Sequence, residues 1–382
     1  MGITIIIFLG ILEGFARILV DEDKLAYQRL GGTAFKKTIP PPLQNSDYDV
    51  KWFAQNYDSL EIERIKHPSK ENAVYLEAPQ NPYLTIENNR RRTTNTPNID
   101  NFSSQSKLYI FGGSTVFCRE VPDSLTLPSY LQRFILDTYP SMRVVNCGIA
   151  GVSTPTQLAN LELMIDSVKE KDIVIFYDGV NNSIKGISTI EEALAQKSSQ
   201  NNFLSSILVF LYRLRERLYI LLHQKSMLIN WLLYPYGPVE PALTSNNLTE
   251  RKEFNYYLDS IATSYIEDIA RANAICKKKK ATFFHFLQPQ LASRKPHTNF
   301  EKDTLISNPY QRTAYDLAYF ETCYPAFRDK LDSLKTKQDI LSYDISHTFD
   351  NYEKDVYIDI CHLSQHGNLK VAQTIVNHIT KK

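Results

Sequence analysis

Four short stretches of this chain carry residue types that can share the work of acyl transfer. The first, Phe111-Gly112-Gly113-Ser114-Thr115, closes an apolar run of strand length. That sets a hydroxyl at the carboxyl end of a strand, where open α/β sheets hold their ligands. Ser114 is therefore a candidate nucleophile, and a serine in that place equally serves as the N-cap of the next helix. The second is Val145-Asn146-Cys147-Gly148-Ile149-Ala150-Gly151. Its glycines let backbone N–H groups approach a bound oxygen, with Gly151 as the candidate donor, and they also suit an ordinary strand-to-helix loop. The third, Tyr177-Asp178-Gly179-Val180-Asn181-Asn182, ends another apolar run. The Asn181 amide can donate where negative charge develops, or it can form a simple Asn turn. The fourth, Asp359-Ile360-Cys361-His362-Leu363, precedes an amphipathic helix that begins near Gln365. A spacing of three can set both side chains on one face. Asp359 then accepts the Nδ1 proton of His362 and leaves Nε2 to take the proton of Ser114. The same pair can cap a helix, and His366, one turn on, is the second candidate for the base. The G-x-S-x-G elbow of the α/β-hydrolases is absent, which disfavours that competing serine-hydrolase fold.

These stretches must be held by a scaffold, and the hydrophobic pattern names one. Apolar runs at residues 108–111, 144–147, 173–177 and 282–287 alternate with helix-length amphipathic segments, which is the pattern of a parallel sheet made from βαβ units. The expected class is a doubly wound α/β domain. Residues 202–236 break the rhythm: they are very apolar but carry Arg213, Arg215, Glu216 and Arg217 at their middle. A span buried in lipid is disfavoured by those charges. A helical insertion at about residues 185–260 fits better, packed on the domain or resting on a membrane surface.

Ahead of this domain, residues 21–106 are rich in Pro, Asn, Tyr and charge and read as an irregular approach segment packing on it. Residues 3–20 are nearly all apolar, interrupted by Glu13 and Arg17. They read as a membrane anchor over residues 1–20, with an interfacial helix as the alternative. No basic leader or small-residue cleavage site accompanies them, and the favoured arrangement is a tethered domain outside the cytoplasm.

Composition excludes other classes. The 382 residues hold 43 Lys and Arg against 42 Asp and Glu, a formal charge of +1, so no global field draws nucleic acid. The basic runs Arg90-Arg91-Arg92 and Lys277-Lys278-Lys279-Lys280 read as solvated helix ends or loops and receive no function. The five cysteines show neither CxxC pairing nor metal-ligand spacing and read as small buried apolar residues. No spacing implies a metal or an organic cofactor.

In their order along the chain, Gly-Gly-Ser-Thr, Asn-Cys-Gly-Ile-Ala-Gly, Gly-Val-Asn and Asp-Ile-Cys-His resemble the motifs of the SGNH (GDSL-like) hydrolase superfamily, over about residues 107–382. The resemblance implies a three-layer α/β/α sandwich on a mainly parallel, flavodoxin-like sheet. It implies Ser114 as nucleophile, His362 as base and Asp359 as its orienter. The implied oxyanion hole is the Ser114 and Gly151 backbone N–H with the Asn181 side chain. Two positions depart from it: Gly113 stands where many members carry Asp, and Asn182 where Asp often follows the asparagine. Gly-Gly-Ser-Thr members with an N-terminal membrane helix look like bacterial envelope proteins acting on acylated glycans. An O-acetyl ester on a polysaccharide is thus the implied substrate. An O-acyl transferase to a sugar hydroxyl and a catalytically silent glycan-binding or assembly protein are the alternatives. Gln288-Pro289, after the fourth apolar run, either shapes an acceptor site or simply ends a strand.

Overall fold

The computed structural model describes residues 39, 41–50, 63–77, 83–96, 106–199, 248–306 and 313–381. The expected membrane anchor at residues 1–20 and the apolar stretch 202–236 lie outside the described residues. Among the described residues, no helix is long and apolar enough to cross a membrane.

In chain order the strands are β1 (Glu63–Lys66), β2 (Val74–Glu77), β3 (Ile86–Glu87), β4 (Arg90–Arg91), β5 (Lys107–Gly112), β6 (Arg143–Gly148), β7 (Ile173–Asp178), β8 (Thr282–Leu287) and β9 (Leu341–Asp344). The helices are α1 (Ser114–Phe117), α2 (Leu127–Ile135), α3 (Thr154–Met164), α4 (Val180–Ser199), α5 (Leu248–Lys278), α6 (Thr313–Gln338) and α7 (Gln365–Thr380). Strands β5 to β9 form one sheet in the order β6-β5-β7-β8-β9, every pair parallel. This is the flavodoxin-like order. α2 and α7 pack together, and α5 packs against α3, α4 and α6, so both faces of the sheet are covered. That coverage explains the sequence pattern, because parallel strands buried on both faces need no polar side. All six residues of β7 are buried.

The four apolar runs expected as strands are β5, β6, β7 and β8. The fifth strand was not expected. β9 reads Leu-Ser-Tyr-Asp with only Ser342 buried, a short mixed pattern with no continuous apolar run to recognise. All five cysteines are free and buried, as the composition suggests.

The described parts of the N-terminal segment form two antiparallel ribbons, β1 with β2 and β3 with β4. Leu76 and Leu84 pack with Phe117, Ile149 and Val152, and Leu43 and Val50 pack with Ile358. The segment thus braces α1, the glycine loop and the chain just before Asp359. Its anchor is Arg91, and here the reading of Arg90-Arg91-Arg92 as a solvated run is corrected. The Arg91 side chain is wholly buried. Its Nε donates to Asp123 Oδ1 at 2.9 Å, Nη1 to the carbonyls of Phe117 and Cys118, and Nη2 to Val121 O at 2.6 Å. A planar fork of five donors suits such a set of acceptors. Arg91→Ala leaves Asp123 Oδ1 and the carbonyls of Phe117 and Val121 without this buried donor, while Arg92 and the Thr85 N–H still hold Asp123 Oδ2. It is expected to lower stability by about 3 kcal/mol, read from urea unfolding followed by circular dichroism.

Candidate active site

The register sets the site. Gly112 of β5 pairs with Gly148 of β6 and with Tyr177 of β7. Three adjacent strands therefore end level, at the point where the strand order reverses and such sheets bind ligands. The chain leaves β5 through Gly113 and enters the single turn α1, whose first residue is Ser114. Ser114 is half-buried. Behind it, Thr115 Oγ1 donates to the buried Gln288 Oε1 at 3.3 Å. Gln288 thereby supports the serine turn from just beyond the end of β8.

Asn181, on the first turn of α4, lies against this turn. Its Nδ2 donates to Val152 O at 2.7 Å, and the amide retains a second hydrogen to give. A Cβ added at Gly113 would fall 2.2 Å from that Nδ2. Glycine here is what lets the amide lie beside Ser114, and the Asp carried by many SGNH members at this position would collide with it. Gly113→Ala is expected to leave the fold intact, since the far end of a side chain can move away. Displacing the candidate oxyanion donor Asn181 should still lower kcat about 100-fold, measured on p-nitrophenyl acetate. Gly151 adopts φ +72° and is exposed, in a loop that follows β6. Among the described residues, neither the Ser114 N–H nor the Gly151 N–H finds a protein acceptor. Asn182 is placed differently: its Nδ2 donates to Thr154 Oγ1 at 2.9 Å, and Thr154 donates to Asp268, so it ties α4 to α3.

The other half of the site hangs on the turn before α7. An antiparallel bridge of Tyr357 with Leu363 closes this turn, and Ile358 N donates to His362 O at 2.9 Å. Asp359 Oδ1 accepts from the backbone N–H of Cys361 at 2.9 Å and of His362 at 2.7 Å, while Oδ2 meets His362 Nδ1 at 2.6 Å. The carboxylate is thus fixed by backbone before it orients the ring. His366, on the first turn of α7, makes no hydrogen bond to Asp359. Burial opposes charge on both groups. The imidazolium nonetheless holds Asp359 below its ordinary range, and the carboxylate of Asp359 leads the groups that push His362 well above its own. Nε2 of His362 is buried and has no hydrogen-bond partner. No hydrogen bond joins it to Ser114; the nearest acid is Glu120, whose Oε1 stands 3.7 Å away. Sequence reading missed Glu120, because Arg119-Glu120 in a loop looks like solvated charge.

Two other groupings have the right atoms and fail on position. Ser342 Oγ lies 2.8 Å from His285 Nδ1, and His285 Nε2 lies 3.2 Å from Asp178 Oδ1. Tyr265 also donates to Asp178. Ser342, His285 and Asp178 are all buried in the core, where no substrate reaches the hydroxyl, so this network ties β7, β8, β9 and α5 together. Asp359, Cys361 and His362 each offer a ligand atom within 4.8 Å of one another. Nδ1 is already spent on Asp359, however, and burial pushes the Cys361 thiol up, away from the thiolate a metal would need.

No family model and no curated protein matches the chain. Solved structures do. A lipolytic protein of the G-D-S-L family from Veillonella parvula is 11% identical over 72% of this chain and 100% of its own, with a TM-score of 0.40. A putative lipolytic protein of the same family from Desulfitobacterium hafniense is 10% identical over 72% of this chain and 99% of its own, with a TM-score of 0.37. The acetylxylan esterase Axe2 from Geobacillus stearothermophilus is 15% identical over 72% and 94%, with a TM-score of 0.35.

Proposed function

We propose that the protein is a serine ester hydrolase acting on O-acyl esters of a cell-envelope glycan. The observation that carries the chemistry is the Asp359–His362 pair at 2.6 Å, with Nε2 left without a hydrogen-bond partner. Ser114 Oγ attacks the acyl carbonyl carbon as its proton passes to His362 Nε2. The carbonyl oxygen becomes an oxyanion and takes hydrogen bonds from Ser114 N–H, Gly151 N–H and Asn181 Nδ2. The alcohol leaves with the proton from His362, and water repeats the sequence on the acyl-serine. No metal or organic group enters any step.

The glycan, the acetyl group and a place outside the cytoplasm rest on the resemblance of the Gly-Gly-Ser-Thr motif, and a membrane anchor rests on the apolar residues 3–20. The test is active-site labelling of the full-length protein with a fluorophosphonate, followed by release of acetate from O-acetylated polysaccharide. Stoichiometric labelling at Ser114 together with acetate release supports the reading. A folded protein that takes up no label and cleaves no ester refutes it.

A further inference from the structure

We propose that Glu120 is a positioning residue of this site: in the substrate-free protein its buried carboxylate holds the His362 imidazolium at Nε2, and so sets the pH at which Ser114 becomes a nucleophile. The inference rests on the hydrolase reading above and names a regulation built into it.

The geometry is that of one ring between two acids. Asp359 occupies the Nδ1 side at 2.6 Å, and Glu120 Oε1 faces Nε2 at 3.7 Å. That second distance is too long for a hydrogen bond and within reach of an ion pair. Nε2 has no other partner. The Glu120 side chain is 5% exposed, so its charged form depends on a nearby counter-charge. Arg91 makes a smaller contribution, its guanidinium being engaged by Asp123 and by the carbonyls of Phe117, Cys118 and Val121. The His362 cation is the leading group that favours the charged carboxylate.

Glu120 is also held in place. Arg91 grips the loop at Phe117 and Cys118 before it and at Val121 after it, while Tyr48 donates to the Glu120 carbonyl at 3.3 Å. The groups facing this carboxylate are His362, Asp359 and Cys361 from the C-terminal turn, Arg91 from β4, Cys118 from its own loop and Tyr48 from the N-terminal segment. Burial raises the Glu120 carboxyl and the His362 cation opposes that rise. A histidine between two acids stays protonated to higher pH than usual. Protonated, it cannot accept the Ser114 proton. When Nε2 gives its proton to water, the Glu120 attraction is lost, and the lone pair becomes available to the serine hydroxyl.

Two readings of the full-length protein test this. The ring of His362 is titrated by ¹H–¹³C NMR, and the rate of fluorophosphonate labelling is followed against pH. In Glu120→Gln the ring midpoint is expected to fall by about one unit or more. Labelling at pH values below the wild-type midpoint should then run up to about tenfold faster. Glu120→Asp keeps the charge and should keep most of the elevation. If Glu120→Gln does not fold, Glu120→Ala reads the same midpoint. An unchanged ring midpoint beside a serine that labels would overturn the proposal alone. A ring that titrates lower beside a serine that labels at no pH would overturn the hydrolase reading, and with it the role assigned toward Ser114.

Discussion

Ser114→Ala is expected to abolish fluorophosphonate labelling and to cut p-nitrophenyl acetate turnover by about 10⁴-fold or more, at nearly unchanged stability. The two halves of this expectation come from different observations. Loss of the nucleophile removes covalent catalysis altogether and leaves only what binding and the oxyanion donors supply. Stability should hold within about 1 kcal/mol, because Ser114 is only half-buried and no hydrogen bond ties its side chain to His362. Thermal unfolding of the variant, run beside the turnover assay, separates the two. A variant that melts like wild type and still turns over within tenfold would show that the reaction, if any, uses another group.

Asp359→Asn should cost about 10⁴-fold in kcat without unfolding the protein. The reason lies in how the carboxylate is held. Oδ1 accepts two backbone N–H bonds, from Cys361 and His362, and an amide oxygen keeps those two contacts. The NH₂ of the new side chain must then face Nδ1. A donor there makes Nδ1 the acceptor and moves the ring proton to Nε2, where it blocks abstraction from Ser114. The removed charge also takes away the leading support for the His362 cation, so the ring titrates at lower pH in the same variant. A fall in kcat with little change in KM, together with that lower ring midpoint, is the expected signature. An activity loss smaller than tenfold would mean that the pair caps the turn and takes no part in proton transfer.

The site was legible to different depths, and the depth follows sequence separation. Asp359 and His362 stand three residues apart, and their contact is made within one turn, so the spacing allows it, while the order of four motifs along the chain marks the pair as a dyad rather than a cap. β5, β7 and β8 lie inside a sheet covered on both faces, and burial on both faces writes an uninterrupted apolar run into the sequence; β6, at one edge, is still buried at four of its six positions. Ser114, Gly151 and Asn181 were legible as strand-end residues, since each follows such a run. Their meeting was decided by the sheet: Gly112 aligns with both Gly148 and Tyr177, so three distant loops open at one level.

Other parts had no local trace. β9 is an edge strand whose mixed Leu-Ser-Tyr-Asp pattern looks like any short polar stretch. Arg91 reads as one charge in a basic run, and only the folded chain surrounds it with Asp123 and three carbonyls from a loop about 30 residues on. Glu120 reads as a solvated acid, and folding alone brings it to a histidine 242 positions away. The sequence by itself determined the class of sheet, the candidate nucleophile and the dyad, because those depend on periodicity and on neighbours within a turn. The tertiary structure alone decided what braces the serine turn and which acid faces His362 Nε2. Those depend on buried charges, which choose partners by proximity in space and leave no period in the chain.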